Sequence, residues 1–350
     1  MTGQIAAHVQ RQAVYELVVD GRSIDKAVRP RLHSLSLTER RGTEADELEI
    51  VLNDTDGKLG IPPAGATVTL KLGWLDLRDG AAPVLIDKGS FTVDERGHAG
   101  TPDRLTIRAR SANLTRAFRT RQTRTWSNTT LGAVLDDVAV RNGLQARVAA
   151  DKASIAVDHL TQDSESDSAL LARLGRLHDA VATIKAGRLI FAAIASGQTA
   201  TGQPIPEARI TRSDGDRHTW SSAERENYSG VIAKWRNRST NTSGEVVIGS
   251  SSNAKRLGRT YGSESSARRA AETENTRQDR KGARFSLDLA SGRPDLYPDR
   301  KLTVTGWKAD IDNTGWVITE VTHQLDAAGG LKTALQMEIN PKPPSAAGAT

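Results

Sequence analysis

Apolar residues recur with a helical period in the middle of the chain and with a period of two on both sides of it. Two central stretches have apolar positions three or four residues apart, as on one face of a helix: Leu131, Val134, Leu135 and Val138, and then Leu170, Leu171, Leu174 and Leu177. Thr129 or Asn128 can cap the first helix, and Gly143 can end it in a left-handed conformation. The second helix is expected to open at 164–167, where serines and acids can satisfy its free N–H groups.

Directly after the second helix the period changes to two, which indicates a hairpin. Its alternating residues are Ala182 and Ile184 before a turn at 185–188, and Leu189 and Phe191 after the turn. Helices of this length are marginal in water and need a cover for their apolar face. We therefore predict a small helix–helix–hairpin module over residues 120–195, in which helices and hairpin share one core.

Short alternating strands separated by turn residues flank this module on both sides. Clear cases are 48–52 and 67–74 before it, and 301–307 and 316–325 after it. Short strands with turn signals about every ten residues are typical of antiparallel barrels and sandwiches. The predicted fold class is mainly β with an α+β insert, in which two tube-like antiparallel β-barrel domains flank the helix–helix–hairpin module.

The domain boundaries are predicted from shifts in composition. We expect a flexible N-terminus at 1–12, a first β-barrel domain at 13–119, the α+β module at 120–195, a linker rich in Gly, Ser, Thr and Pro at 196–206, a second β-barrel domain at 207–340 and a disordered C-terminus at 341–350. The second barrel domain includes a polar, solvent-facing helix at 263–281. The dipeptides Gly73-Trp74 and Gly306-Trp307 each end an alternating strand, which is a weak sign of duplication.

Composition narrows the class of protein. The chain of 350 residues has room for two or three domains, and it contains no cysteine, which excludes disulfides and thiolate metal sites. Residues 1–12 lack the basic and apolar pattern of a leader, and no window of about 18 apolar residues occurs. We therefore expect a soluble protein made in the cytoplasm, without membrane insertion.

The net charge of +6 is unevenly distributed. The basic surplus lies between residues 205 and 284, and a second basic run contains no acid: Arg104, Arg108, Arg110, Arg116, Arg119, Arg121 and Arg124. Such runs suit a nucleic-acid surface, a solvated face or a face that docks on an acidic partner. Aromatic residues do not interleave with these arginines as base stacking requires, so we favour the solvated or protein-docking interpretation.

The sequence lacks the motifs of the common catalytic and cofactor sites. None of the seven histidines pairs at i, i+4, and no Gly-x-Ser-x-Gly, P-loop or Gly-x-Gly-x-x-Gly occurs. Asp54-x-Asp56-Gly57 resembles the start of a calcium loop, but its twelfth position is Gly65 instead of a glutamate, which favours a capped turn. We therefore predict no catalytic residue, no cofactor and no metal site.

Two further groups of ionisable residues have ordinary explanations. Asp163, Glu165 and Asp167 form an acidic cluster that helix capping explains. The pair His178-Asp179 could be a dyad, but a histidine at a helix end more often interacts with the negative helix terminus. The sequence therefore indicates a scaffold rather than an enzyme.

The order of these signals resembles that of the phage late control protein D family, the baseplate hub of contractile-tailed phages, and of the hub part of type VI secretion spike proteins. The resemblance spans nearly the whole chain and is carried by the central helices and by Gly65 to Gly73, Gly89-Ser90-Phe91-Thr92-Val93, Gly187 to Phe191, Gly292-Arg293-Pro294-Asp295-Leu296-Tyr297-Pro298 and Trp316 to His323. It implies a homotrimeric ring that joins a hexameric tail tube to a trimeric central spike. After Ile339 no needle-like segment follows, so the spike is expected to be a separate protein.

The resemblance also implies the partners and the location. Expected partners are the tail tube protein, the spike protein, other baseplate proteins and the tape measure protein, with DNA only as passing cargo. The expected location is the virion baseplate after assembly in the bacterial cytoplasm. Candidate structural or interface residues are Arg108, Arg110, Trp74, Trp307 and His323, the last read as structural. The alternatives are a tail-associated cell-wall hydrolase and a basic nucleic-acid-binding protein.

Overall fold

The structure, a computed structural model, describes residues 11–42, 44–78, 82–111, 116–222, 228–326 and 330–340. Strand β1 begins at Arg11, so the predicted flexible start is two residues too long. Its remainder, 1–10, and the predicted disordered C-terminus, 341–350, lie outside the described residues.

The first β region has a core built from alternating strand positions. Leu35 and Leu37 on one strand and Leu70 and Leu72 on another are fully buried, while Ser36 and Lys71 between them are only partly buried. The strands pair antiparallel in the order β3–β4–β7–β6–β5–β1, with β2 at the edge. Its elements are β1 (Arg11–Val19), β2 (Arg22–Ser23), α1 (Asp25–Val28), β3 (Leu32–Arg40), β4 (Glu47–Asn53), β5 (Thr67–Asp76), β6 (Val84–Ala99) and β7 (Arg104–Arg110).

The central α+β module has its own core, formed by the apolar helix faces and the hairpin. The predicted helices and the hairpin turn are present, and Leu135, Leu170 and Phe191 are buried together. Two strands that the pattern did not predict, β8 and β10, form an antiparallel ribbon beside them. The elements are α2 (Arg116–Arg119), β8 (Arg121–Thr130), α3 (Leu131–Arg141), β9 (Gln145–Val148), α4 (Ala150–Ala153), β10 (Ala156–Ser166), α5 (Asp167–His178), β11 (Ala180–Lys185) and β12 (Arg188–Ala193).

The second β region combines a large core with a small sheet covered by a helix. Phe285, Trp316 and Met337 lie in the large core, and Ala267 and Ala271 of the helix pack on the small sheet. The elements are β13 (Ala208–Thr211), β14 (Gly215–Ser222), β15 (Gly230–Asn237), β16 (Thr242–Gly249), β17 (Ala254–Tyr261), α6 (Glu264–Lys281), β18 (Ala283–Leu289), β19 (Lys301–Thr305), α7 (Ala309–Asp312), β20 (Trp316–Asp326) and β21 (Gly330–Ile339). Before it, the predicted linker at 196–206 contains a bridge between Gln198 and Pro204.

Strand β3 of the first region pairs with β20 of the second, so the two regions share one sheet. Thirteen of the described strands belong to it, and its main path runs β14–β18–β21–β20–β3–β4–β7–β6–β5–β1–β2. Among the residues that the structure describes, no pairing closes this path into a barrel. The fold class predicted from the sequence, mainly β with an α+β insert, is confirmed.

Several local details differ from the sequence-based prediction. Thr130 rather than Thr129 or Asn128 caps α3, because its hydroxyl accepts a hydrogen bond from the N–H of Ala133. Ser166, the second serine of the predicted capping segment, caps α5. Helix α6 is polar and begins and ends as predicted, but the expectation that it faces solvent is wrong for one side, where Glu274 and Arg280 are also buried.

The two Gly-Trp dipeptides occupy different local structures. Gly73 lies within β5, where an added Cβ would lie 1.8 Å from the carbonyl oxygen of Val84. Gly306 follows β19 and has a φ of +97°, which favours glycine. The shared dipeptide therefore has two separate structural reasons and does not mark a repeated strand.

Candidate functional site at the junction between the β regions

The pairing of β3 with β20 forms the junction between the two β regions. Its register runs from Glu320 opposite Arg40 to Asp326 opposite Ser34. The hydroxyls of Thr38 and Thr322 lie 3.3 Å apart, and Arg40 Nε donates to Glu320 Oε2 at 2.9 Å. Main-chain pairing and side-chain bonds together hold the two regions in one orientation.

A buried ionic cluster lies at this junction and contains the candidate residue His323. Glu39 of β3 has its Oε2 2.5 Å from the Nζ of Lys88 and 3.4 Å from the Nε2 of His323. The side chains of Glu39, Lys88 and His323 are 7%, 3% and 0% exposed. Neither Glu39 Oε2 nor His323 Nε2 makes a well-directed hydrogen bond, so these contacts are mainly electrostatic.

Within this cluster, Glu39 and His323 both have pKa values below their ordinary values. Burial alone would raise the pKa of Glu39, but His323 and the charges of Lys88 and Lys185 outweigh it and hold that pKa at about 2. Burial lowers the pKa of His323, while the contact with Glu39 acts against this effect. At neutral pH the cluster is therefore a carboxylate–ammonium pair beside a neutral imidazole, whose Nδ1 lies 2.9 Å from the hydroxyl of Thr333.

The loop at 292–296 is fastened to this junction by the first β region. Lys88 donates from Nζ to the carbonyl oxygen of Pro294 at 3.1 Å, and Trp74 donates from Nε1 to the carbonyl oxygen of Gly292 at 2.9 Å. The backbone N–H of Arg293 donates to the hydroxyl of Thr333 at 2.9 Å. Two candidate residues, Trp74 and His323, are thus linked through this loop and Thr333.

The candidate residue Trp307 lies elsewhere, against the core of the second β region. Its ring makes edge contacts with His218 and Phe285 at 6.1 and 5.6 Å, and the guanidinium of Arg212 lies 5.7 Å from its centroid. Its indole Nε1 is buried without a hydrogen-bond partner. This tryptophan therefore packs inside the region rather than at the junction.

Carboxylates on neighbouring strands neutralise the two candidate arginines. Arg108 pairs with Glu49 at 2.7 Å and with Glu95 at 2.9 Å, and Arg110 pairs with Asp94 at 3.1 Å. A phosphate backbone would have to compete with these acids, which weakens the nucleic-acid interpretation of the arginine run. A role for either arginine at an interface stays a prediction.

A second ionic junction ties the α+β module to the second β region. Arg280, at the end of α6, forms a bidentate pair with Asp179, the residue that ends α5. Arg280 Nε also lies 3.3 Å from Glu338, which pairs with Arg41 at 2.5 Å. The dyad considered for His178 and Asp179 is therefore absent, because Asp179 is committed to Arg280.

His178 is held neutral instead of carrying the charge that a helix end would favour. Burial, assisted by the positive charges of Lys152 and Arg269, lowers its pKa to about 4. The acidic cluster also has partners: Glu165 pairs with Arg173 at 2.7 Å, and Asp167 binds Arg141. Capping accounts for only part of this cluster.

Asp299 is partly buried beside the second ionic junction, and its Oδ1 accepts a hydrogen bond from the N–H of Ala195 at 2.9 Å. Burial raises its pKa from 3.8 to about 6, although the Ala195 hydrogen bond and the charges of Arg41 and Arg280 oppose this. The folded state therefore binds more protons than the unfolded state between these values, and stability falls as the pH rises through that range.

Replacing Asp299 with asparagine is expected to stabilise the protein at pH 8 by about 1–3 kcal/mol. The amide oxygen can still accept the Ala195 N–H, and asparagine tolerates the φ of +71° at this position. Denaturant unfolding should show this gain at pH 8 and its loss at about pH 3, where the aspartate is largely protonated in both states. The exposed Asp151→Asn is the control, and a gain that did not depend on pH would contradict the explanation.

No metal or membrane feature emerges from the described ranges. Asp54 accepts the N–H of Leu59 at 2.9 Å and Asp56 pairs with Arg31 at 2.5 Å, as in a capped turn. In these ranges no set of three or more histidine or acidic side chains is arranged to hold a metal ion. None of the helices described has the length and apolar character needed to cross a membrane.

The two ends of the large sheet differ in how they are protected. At β1, the N–H of Leu17 donates to Asp25 at 2.7 Å and the carbonyl of Tyr15 accepts from Arg29 at 3.3 Å, which blocks further strand pairing there. At the other end, none of the described strands pairs with the outer edge of β14. Trp220 on this strand is 37% exposed.

Comparisons with known proteins agree on one family. The model of the phage tail baseplate hub (GPD) family matches residues 64–329. A probable baseplate hub protein of Escherichia phage P2 is 37% identical to this chain, in an alignment that covers 93% of this chain and 92% of that protein.

Solved structures show the same fold at low identity. The tail protein from Neisseria meningitidis MC58 has a TM-score of 0.67 at 11% identity, and the match covers 93% of this chain and 96% of that chain. The E. coli c3393 protein, a component of the type VI secretion system with structural similarity to the T4 tail proteins gp27 and gp5, has a TM-score of 0.52 at 12% identity, over 89% of this chain and 74% of that chain. The family match and the identity to the phage P2 protein together show that the chain belongs to the phage tail baseplate hub (GPD) family, as a structural component of the virion tail and not an enzyme.

Proposed function

We propose that three copies of this chain form a closed ring that joins the hexameric tail tube to the trimeric central spike. A three-fold ring with two β regions per copy presents six related positions to the tube and three to the spike. The proposed division into a first β domain, an α+β module and a second β domain is supported by the separate hydrophobic cores, although Leu325 and Leu331 of the second β region pack in the core of the first. Assembly would take place in the bacterial cytoplasm, with the tube, spike, other baseplate and tape measure proteins as partners.

The observation that carries this proposal is the continuous sheet with one open end. Because β3 pairs with β20, the two β regions form a single body that can span an arc of a ring. Among the described strands, none pairs with the outer edge of β14, so this edge and the exposed Trp220 offer main-chain and apolar surface to a neighbouring copy. A repeated head-to-tail contact closes into a ring when the rotation from one copy to the next is a whole fraction of a full turn.

The purified protein is expected to form a trimer of its 37.6 kDa subunit, either alone or once its spike protein is added, in which case the complex also contains the mass of the spike. Light scattering after size exclusion measures this mass directly. Trp220→Lys should weaken the trimer at least about tenfold, because the substitution places a charge at the contact. Val140→Lys, on an α3 residue that is 76% exposed, is the matched control and should leave the mass unchanged.

Two outcomes would contradict these expectations. A protein that remains a monomer with every candidate spike and tube protein would exclude the ring. A trimer that tolerates Trp220→Lys as well as Val140→Lys would exclude β14 as the contact while leaving the ring itself intact.

A further inference from the structure

A positively lined cavity lies where the ends of α5 and α6 meet β21. Its volume is about 190 Å³. The basic residues of its wall are Arg41, Arg176, Arg277, Arg280 and Lys281, against the acids Asp179 and Glu338. Both acids are already committed, since Asp179 and Glu338 bind Arg280 and Glu338 also binds Arg41.

Part of the positive charge in this wall has no partner. Arg277 is neutralised by Glu274. Within the part of the chain that the structure describes, no ion pair is formed by Arg176 or Lys281, and both are exposed. The cavity therefore has two available cations beside a set of arginines that are held in place by carboxylates.

Arg41 adds a buried donor that is not satisfied. Its Nη2 binds Glu338, but its Nη1 is buried without any hydrogen-bond partner. A buried unpaired donor costs about 1–3 kcal/mol, and more for a charged group. Because Arg41 lines the cavity, an anion bound there lies beside this guanidinium and adds negative charge next to it.

The helix ends alone do not account for this arrangement. The negative ends of α5 and α6 favour basic residues in their last turns, which explains the presence of Arg176 and Lys281 there. They do not explain why Arg41, which follows β3, leaves a buried N–H unpaired at the same cavity. The convergence of three independent segments indicates a binding site.

We propose that this cavity binds a carboxylate side chain of a neighbouring protein in the assembled tail. Arginine recognises carboxylates through paired hydrogen bonds, and the cavity is below the usual size of roughly 300–1,000 Å³ for a drug-sized ligand. The basic residues in the wall of the cavity indicate that the ligand is an oxyanion. That this oxyanion belongs to another protein rests on the proposed function of the chain in the tail.

Zero-length carbodiimide cross-linking of purified tails tests the identity of the occupant. The reagent joins an amine only to a carboxylate in direct contact, so Lys281 should be found joined to an aspartate or glutamate of another protein chain. Lys71, whose Nζ lies 3.0 Å from Glu16 on the surface, should be joined to that residue and controls for the reaction. If Lys71 is joined to Glu16 while Lys281 is joined to no other chain, the proposal is overturned.

A pair of double variants tests the consequence for assembly. Arg176→Gln with Lys281→Gln should reduce the yield of complete tails at least about tenfold, corresponding to at least about 1.4 kcal/mol. The isolated protein should keep its melting temperature and its oligomeric mass, because these side chains make no ion pair in the described structure. Arg238→Gln with Lys308→Gln removes the same charge from exposed positions elsewhere and should leave the yield unchanged.

The remaining outcomes are also decisive. Equal losses in both double variants would attribute the effect to net charge and overturn the proposal. If inorganic phosphate raises the melting temperature of the isolated protein but not of the Arg176/Lys281 variant, and tails give no cross-link, the cavity is a site for a free anion instead. If the mass measurement shows no trimer, the ring is excluded, while the cross-linking and the yield of tails still test the cavity.

Discussion

Replacing Lys88 with methionine is expected to lower the free energy of unfolding by about 3–5 kcal/mol at pH 7. The lysine side chain is 3% exposed and lies 2.5 Å from Glu39, which is itself buried. Its loss leaves a buried carboxylate with only a neutral imidazole beside it, and it frees the carbonyl oxygens of Pro294 and Leu296. Denaturant unfolding followed by tryptophan fluorescence measures the loss.

Two further variants separate the buried charge from other effects. Lys71→Met breaks an ion pair with Glu16 in which the side chains are 43% and 34% exposed, and it should cost less than about 1 kcal/mol. Combining Lys88→Met with Glu39→Gln removes both charges and should recover about half of the loss or more. A Lys88→Met protein as stable as Lys71→Met, or a double variant no better than the single one, would show that the ionic cluster does not hold the junction.

The pH dependence of the junction gives the same explanation a second test. Glu39 has its pKa lowered from 4.5 to about 2, so its contribution is present above pH 4.5 and is lost as the pH falls toward 2. His323 has a lowered pKa as well, so the neutral form that the fold requires is lost on acidification. Lys88 holds the pKa of Glu39 down, so Glu39 should become protonated at a higher pH in Lys88→Met. The loss of unfolding free energy in Lys88→Met, relative to the unsubstituted protein, should therefore shrink as the pH is lowered from 7 to 3.

The α+β module was predictable because its information is local. The apolar stripes of α3 and α5 fall within a few turns of chain, and Gly143, with a φ of +69°, ends α3 as expected. The turn before β12 follows from Ala186 and Gly187, both of which have positive φ. Each of these signals needs only neighbours in sequence to be recognised.

The parts that the sequence did not predict depend on distant or polar partners. Strands β8 and β10 consist mostly of exposed polar residues, so they have no apolar alternation, and they are defined by their pairing with each other. The pairing of β3 with β20 joins residues such as Thr38 and Thr322, which are 284 positions apart. No local pattern specifies that partner.

The junction residues did leave one sequence signal that was missed. The alternation of Leu35 and Leu37 continues to Glu39, which places an acid on the buried face of β3. In β20 the buried positions Val321 and Leu325 likewise flank His323. A charged residue in the apolar phase of a strand requires a buried partner, and two such strands in one chain could have suggested that the strands meet.

Replacing Asp167 with alanine is expected to cost about 3–5 kcal/mol, an effect comparable to that at the junction. Its side chain is fully buried and binds Arg141 through two hydrogen bonds of 2.9 and 2.7 Å. It also accepts from Asn142 at 2.7 Å and from Gln162 at 2.8 Å, so one carboxylate connects α3, β10 and α5. Burial by itself would raise the pKa of Asp167, but these donors outweigh it and lower the pKa.

The control variant removes Asp137, a second carboxylate that pairs with Arg141. Asp137 is 45% exposed and pairs with Arg141 at 3.0 Å, and Asp137→Ala should cost less than about 1 kcal/mol. Because the pKa of Asp167 is lowered in the folded state, its contribution is present at neutral pH and is lost on acidification, so the difference in stability between the two variants should shrink as the pH is lowered below 3.8. Equal losses at pH 7 would instead mean that Arg141 acts through its surface pair and its contact with the ring of Trp126, and that the buried carboxylate adds nothing to the stability of the module.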